Sequence, residues 1–265
     1  MDPMSVILPI IVLGIMAVIF GLVLGFAGIK FKVEQDERVG LVRDCLPGAN
    51  CGGCGFAGCD ALAAAIVEGT APVSGCPVGG SAVAEKIGEV MGVAAEVGVR
   101  KTAFVKCNGD CEAAKDKYSY FGAVDCGLEN ALAGGAKACS YGCLGDGNCV
   151  KACAFDAIHV VNGVAVVDKE KCVACGACIK ACPKALIELV PYDSRVRVAC
   201  SSHDMPKPTK DNCAKGCMGC KLCEKNCPSE AVKVDNFLAK VNYEKCTQCG
   251  LCVEKCPTKA INSNH

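Results

Sequence analysis

Residues 139–154 read CSYGCLGDGNCVKACA, residues 171–183 KCVACGACIKACP, residues 213–228 CAKGCMGCKLCEKNCP and residues 245–257 KCTQCGLCVEKCP. The last three runs carry C-x2-C-x2-C-x3-C, and the first departs from it only where Asp146 stands for a cysteine. Four thiols this close along a chain do not form a disulfide ladder. They match the spacing at which iron–sulfur proteins ligate [4Fe–4S] clusters.

The runs belong to a tandem duplication. Adding 74 to Cys126, Cys139, Cys143, Cys149, Cys153, Cys172, Cys175, Cys178 and Cys182 reaches Cys200, Cys213, Cys217, Cys223, Cys227, Cys246, Cys249, Cys252 and Cys256. Ala157, Asn162, Glu170, Gly176 and Pro183 recur in the same way as Ala231, Asn236, Glu244, Gly250 and Pro257. Each copy reads as a bacterial two-cluster ferredoxin, in which the fourth cysteine of one run ligates the other cluster. On that reading Cys217, Cys220, Cys223 and Cys256 hold one cluster, and Cys246, Cys249, Cys252 and Cys227 a second. Cys172, Cys175, Cys178 and Cys153 hold a third. Between the runs, AIHVVNGVAVVD and AVKVDNFLAKVN predict paired strands around an Asn-containing turn.

The remaining cluster of the first copy has Cys143, Cys149 and Cys182 and needs another ligand where Asp146 stands. Soft iron favours thiolate, so Cys139 is the expected fourth ligand. The Asp146 carboxylate and a three-iron cluster are the alternatives. Cys107, Cys111 and Cys126, with Cys200 or Cys139, make a candidate sixth site, against a reading as buried free thiols. Cys45 reads as a small buried hydrophobe, and Cys213 has no assigned partner. Cys213-x3-Cys217-x2-Cys220 also has the spacing of radical S-adenosylmethionine enzymes, but the run continues straight into the ferredoxin pattern.

Upstream, Cys51-x2-Cys54-x4-Cys59-x16-Cys76 is a separate set, wrapped in Gly52, Gly53, Gly55 and Gly58. A fifth [4Fe–4S] cluster is expected there. Zinc accepts four thiolates too, but the glycine wrapping and the neighbouring runs argue for iron. Helices are expected from Cys59 to about Val67 and from about Ser81 to Met91. Gly53, Gly55 and Gly58 satisfy G-x-G-x-x-G, but no hydrophobic strand leads into it, which excludes a dinucleotide loop.

Residues 5–29, SVILPIIVLGIMAVIFGLVLGFAGI, carry no charge and would span about 37 Å as a helix. Asp2 lies before this stretch, and Lys30 and Lys32 after it, which points to a single-pass anchor at the cell membrane with the body cytoplasmic. Gly21 and Gly25 give the span a G-x-x-x-G face for a partner helix. The expected division is an anchor at 1–30, a small, mainly helical single-cluster domain at 31–100, and ferredoxin-like domains at 101–195 and 196–265, an α+β chain overall.

The 265 residues contain 26 Cys, 30 Gly and no Trp, a composition that builds small cores needing metal support. Net charge is zero, yet residues 169–265 carry 16 Lys and Arg against 10 Asp and Glu. No acid–base or nucleophilic constellation, Walker loop or flavin motif is present, and His159 and His203 stand alone. The chemistry is electron transfer, with no nucleic acid and no small-molecule substrate bound directly.

An N-terminal apolar helix, then C-x2-C-x4-C-x16-C, then ferredoxin repeats resembles the B subunit of Rnf-type ion-translocating ferredoxin:NAD oxidoreductases, over essentially the whole chain. The tandem repeats and KCNGDC insertion are similar to the longer form of anaerobic bacteria. The resemblance implies a complex that passes electrons from reduced soluble ferredoxin to NAD and couples this to Na⁺ or H⁺ movement. It also implies that Cys51, Cys54, Cys59 and Cys76 hand electrons to integral-membrane partners. A ferredoxin-like subunit of a hydrogenase or formate dehydrogenase, and a structural zinc or thiol-rich binding protein, are the competing readings. Acidic ferredoxin is expected to dock on residues 200–265, guided by Lys215, Lys221, Lys225, Lys255 and Lys259.

Overall fold

The computed structural model of the chain describes residues 3–30, 36–95 and 98–262, with side chains of the first helix described from 11 to 26. That helix, α1 (Pro3–Lys30), is continuous over 28 residues. Its described side chains are exposed on every side, including Ile11, Leu13, Phe20, Leu24 and Phe26. Among the described residues no helix is long and apolar enough to cross a membrane; residues 11–26 of α1 cover about 24 Å. Asp2, Lys32 and the Lys30 side chain, on which the expected orientation rests, lie outside the described residues.

A small helical unit follows. α2 (Glu37–Cys45) starts at Asp36, whose carboxylate accepts from the Arg38 N–H and satisfies a free first-turn donor. α3 (Cys59–Val67) and α4 (Gly80–Met91) agree with the expected helices to within a residue. Val42, Leu62, Ala63, Ile66 and Ile87 bury together at the centre of the three helices, with Cys59 and Cys76 in the same core. The Arg43–Asp60 ion pair, 2.6 Å, ties α2 to α3 at the rim.

The rest of the chain is two copies of one ribbon-and-turn unit. β1 (Lys101–Val105) pairs antiparallel with β4 (Ile187–Pro191), enclosing the hairpin of β2 (Ile158–Val161) and β3 (Val164–Val167). The second copy pairs β5 (Arg197–Val198) with β8 (Ile261–Asn262) around the hairpin of β6 (Val232–Asp235) and β7 (Leu238–Val241). Both hairpins turn on two residues of positive φ, Asn162–Gly163 (47° and 74°) and Asn236–Phe237 (45° and 61°). Two left-handed residues in succession give the type I′ twist that tight hairpins need. Short helices lie inside the cysteine runs, each just before the last cysteine: α6 (Asn148–Lys151), α7 (Ala177–Ala181), α9 (Leu222–Lys225) and α10 (Leu251–Glu254). α5 (Cys126–Ala131) belongs to an insertion in the first copy, and α8 (Pro206–Asn212) leads into the second copy's first run.

Strand register corrects the duplication arithmetic at one place. Val105 faces Ile187, and Val198 faces Ile261, so Val105 and Val198 are the equivalent residues. The offset is therefore 93 before the insertion and 74 after it, and the structural equivalent of Cys200 is Cys107, not Cys126. A matching hydrogen bond supports this pairing: Cys143 N–H donates to Cys107 Sγ (3.4 Å), and Cys217 N–H donates to Cys200 Sγ (3.3 Å). Cys126 sits in the nineteen extra residues that separate Cys107 from Cys139 in the first copy.

The copies are tied to each other. Phe104 and Val190 of the first bury against Ala199 of the second, with Tyr243 beside them. Lys115 N–H donates to Asn212 O (3.0 Å) and Ala214 N–H to Ala113 O (2.8 Å). Asp110 pairs with Lys215 across the same boundary at 2.5 Å. Cysteines make up much of both local cores, where a larger protein would place aliphatic side chains.

Candidate iron–sulfur centres

Cys51, Cys54, Cys59 and Cys76 line one cavity, closed by Leu62, Pro77 and Val78. The Asn50 carboxamide oxygen accepts from Cys59 N–H (2.8 Å) and holds the start of α3 against the loop. Burial pushes the Cys76 thiol up, helped by the neighbouring Cys59 and Cys54.

In the first copy, Cys153, Cys172, Cys175 and Cys178 line a second cavity. Ala103 N–H donates to Cys172 Sγ (3.3 Å) and Ala157 N–H to Cys153 Sγ (3.4 Å), placing two backbone donors, one of them on β1, on two of the sulfurs. A third cavity is lined by Cys143, Cys149, Cys182 and Cys126. Cys126, and not the expected Cys139, lines this cavity beside Cys143, Cys149 and Cys182. The local cause is a pair of side chains. Asp125 caps α5 through Gly127 and Leu128 N–H (2.8 and 3.0 Å) and accepts from Asn148 Nδ2 (2.9 Å). Asn148 in turn accepts from Cys126 N–H through its Oδ1 (3.1 Å), so the insertion is pinned to the start of α6, next to Cys149. Asp146 does not take the role of the missing cysteine by default. Its Oδ2 is buried without a hydrogen-bond partner, and burial first, then the adjoining Glu129, pushes its carboxyl up to about 6.

Cys139 instead lines a fourth cavity with Cys107, Cys200 and Cys213. Each copy contributes two thiols, and they are equivalent pairs: Cys107 with Cys200, and Cys139 with Cys213. The site thus lies between the copies and draws on the same two positions of each. Of the sixth-site candidates Cys107, Cys111, Cys126 and Cys200, the fold brings Cys107 and Cys200 together and sends Cys126 to the third cavity. Cys111 is exposed at the β2–β3 turn, where its N–H donates to Asn162 O (3.0 Å).

In the second copy two further thiol groups form. Burial and the neighbouring Cys217, Cys220 and Cys256 push the Cys223 thiol up to about 12. Burial with Cys246, Cys227 and Cys249 pushes Cys252 up to about 11. Cys220 and Cys249 are the exposed members of these two groups. Ala231 N–H donates to Cys227 Sγ (3.3 Å), repeating the Ala157 contact of the first copy.

The same electrostatics acts on three further thiols, while at Cys227 burial is outweighed by hydrogen bonds from Ser229 and the Ala231 N–H, which hold the thiol below its ordinary value. Cys149 and Cys200 are pushed up to about 12 and Cys178 to about 11, in each case mainly by burial. Several buried thiolates become ionised together only when a cation offsets them. Among the described residues no three Cys, His or carboxylate side chains converge tightly enough for one metal ion; four of the thiol sets line cavities. Four thiolates, backbone N–H donors on sulfur and apolar walls fit a [4Fe–4S] cluster, which when bound supplies one-electron storage at a potential set by these surroundings. His159 is half-exposed beside Asp156, and His203 Nδ1–H donates to Asn236 O (3.0 Å); neither lines a thiol cavity. Cys45 packs half-buried at the edge of the helical core.

Three family models match the same regions: an Fe-S cluster family (FeS) over residues 46–78, a 4Fe-4S binding domain over 165–188 and a 4Fe-4S dicluster domain over 216–261. Over most of its length the chain is also similar to whole subunits of known complexes. It is 46% identical to the B subunit of the Na(+)-translocating ferredoxin:NAD(+) oxidoreductase complex of Acetobacterium woodii, covering 91% of this chain and 73% of that one. The chain belongs to the B-subunit family of ion-translocating oxidoreductase complexes. Other members include the B subunit of the ion-translocating oxidoreductase complex of Methanosarcina acetivorans, 45% identical over 86% of both chains. The B subunit of the proton-translocating ferredoxin:NAD(+) oxidoreductase complex of Clostridium ljungdahlii is 43% identical over 91% of this chain and 86% of its own. For this B-subunit family member the three matched segments contain the first cavity, the β3-to-α7 part of the second, and the stretch from Cys217 to Cys256 of the second copy with its β6–β7 hairpin.

Proposed function

We propose that this chain is the iron–sulfur electron-transfer subunit of an ion-translocating ferredoxin:NAD(+) oxidoreductase, carrying six [4Fe–4S] clusters in sequence. From the helical unit outward the ligand sets are Cys51, Cys54, Cys59 and Cys76; Cys153, Cys172, Cys175 and Cys178; Cys126, Cys143, Cys149 and Cys182; Cys107, Cys139, Cys200 and Cys213; Cys217, Cys220, Cys223 and Cys256; and Cys227, Cys246, Cys249 and Cys252. The observation that carries this reading is the continuity of the thiol groups. Cys143 and Cys107 share a hydrogen bond between the third and fourth sets, and Cys217 and Cys200 one between the fourth and fifth.

α1 serves as a single-pass membrane anchor, supported by its uncharged residues 5–29, and keeps the body on the cytoplasmic side, where thiols stay reduced. Integral-membrane subunits receive electrons from the first set. Soluble ferredoxin docks on the second copy, whose exposed Lys221, Lys225, Lys255 and Lys259 follow the exposed ligands Cys220 and Cys249 along the chain. Lys215 leaves the expected docking set because Asp110 holds it. The chain divides into the anchor at 1–30, the helical unit at 31–100 and the copies at 101–195 and 196–265.

Iron and sulfide analysis of the full-length reconstituted protein tests the assignment. About 24 iron atoms per chain are expected, four for each [4Fe–4S] cluster. A preparation saturating at about 20, with Cys139→Ser leaving that number unchanged, would reject the shared fourth site. Zinc without sulfide would reject the function as a whole.

A further inference from the structure

The first thiol set lies in a helical unit with its own core, so its distance from the second set depends on how two separate bodies meet. One glycine sits at that meeting. A Cβ added at Gly53 would fall 2.7 Å from the carbonyl oxygen of Cys175, 3.0 Å from its Cα and 3.1 Å from its Cβ. Two of those three atoms are backbone, so no rotamer change relieves the contact. Gly53 is not among the residues of positive φ, unlike Gly52 (66°) and Gly55 (87°). Its lack of a side chain is therefore explained by close approach and not by backbone conformation. Gly53 lies between Cys51 and Cys54 of the first set, and Cys175 is a member of the second. Cys51 is also near enough to Cys175 to act on it electrostatically.

We propose that Gly53 is the positioning residue that sets the spacing of the first two centres, and that electrons cross between the helical unit and the first ferredoxin copy at the Gly53–Cys175 contact. This rests on the assignment of clusters to the first and second thiol sets. The crossing moves one electron: one centre is oxidised by one unit and the other reduced by one, with no bond made and no proton transferred. Electron tunnelling weakens steeply with distance, and a methyl group at Gly53 forces the two loops apart at the backbone.

The test uses the full-length reconstituted protein with Gly53→Ala, Gly53→Val and, as control, Gly40→Ala, whose added Cβ meets nothing within 4 Å. Iron content and the EPR spectra of the dithionite-reduced proteins are recorded. The expected result is unchanged iron in all three, with the magnetic interaction between the first two reduced centres weakened in Gly53→Ala and lost in Gly53→Val. Gly40→Ala keeps it. Full iron with the interaction intact in Gly53→Val overturns the proposal. Loss of one cluster's iron from Gly53→Ala overturns it too, because the residue then serves loading and not spacing. An unsubstituted protein with no iron–sulfur EPR signal would instead sink the underlying cluster assignment.

Discussion

The two ferredoxin copies present the same socket with different fourth walls. In the second, Cys217, Cys220 and Cys223 come from one tight run and Cys256 closes the group. In the first, the middle cysteine of the run is Asp146, and Cys126 reaches the cavity from an inserted helix. The comparison shows that a thiol can come from a different point of the sequence while four thiols still gather at the equivalent place. It also shows what the insertion released. With Cys126 serving the third set, Cys139 is free to join Cys107, Cys200 and Cys213 between the copies.

The largest expected effect breaks this comparison at its altered socket. Cys126→Ser should remove one cluster's worth of iron, about four atoms, and adding Asp146→Cys should restore it by rebuilding the second copy's arrangement. Iron analysis of the two variants decides this; failure of the double variant to regain iron would mean that Asp146 does not stand in the ligand position. Next, Phe104→Ala attacks the seam between the copies, where the ring is buried against Val190 and Ala199. A loss of about 3–5 kcal/mol is expected from truncating a buried Phe, read from the denaturant midpoint.

A smaller effect sharpens the contrast between Asp146 and Cys220. The folded chain keeps a proton on Asp146 up to about 6, against an ordinary value of 3.8. That contribution to stability is complete below about 3.8 and disappears as pH rises through about 6. Asp146→Asn should flatten this slope and gain on the parent above pH 6 by roughly 1 kcal/mol after allowance for solvent screening. Melting temperatures at pH 5 and pH 8 give the comparison; equal slopes in both proteins would refute it. The smallest effect is at the surface. Lys221→Ala and Lys255→Ala should each slow ferredoxin association a fewfold at low salt and hardly at all at high salt. Lys215→Ala should instead act through its ion pair with Asp110, so its effect should survive at high salt.

Much of this was legible from local spacing. A C-x2-C-x2-C run places its thiols around one short turn, so the groupings Cys217, Cys220 and Cys223; Cys246, Cys249 and Cys252; and Cys172, Cys175 and Cys178 follow from neighbours along the chain. The helices from Cys59 and Gly80 and the Asn-turn hairpins were equally local. Cys126 was harder to place because its approach depends on Asp125 and Asn148, residues with no motif that links them to the run. The constant offset of 74 even misled: it matched Cys126 to Cys200 by number, while strand register matched Cys107. The register was the signal that sequence spacing alone lacked.

Spacing along the chain was enough for the chemistry: C-x2-C-x2-C runs, in a chain without catalytic constellations, specify iron–sulfur electron transfer because three thiols of a set lie within one short turn. Which distant thiols meet follows from the packing of the elements. Cys139 faces Cys200 and Cys213, and Gly53 touches Cys175, because the duplicated ribbons and the helical unit pack in one way. Contacts between separate elements depend on that packing, and it leaves no periodic trace along the chain.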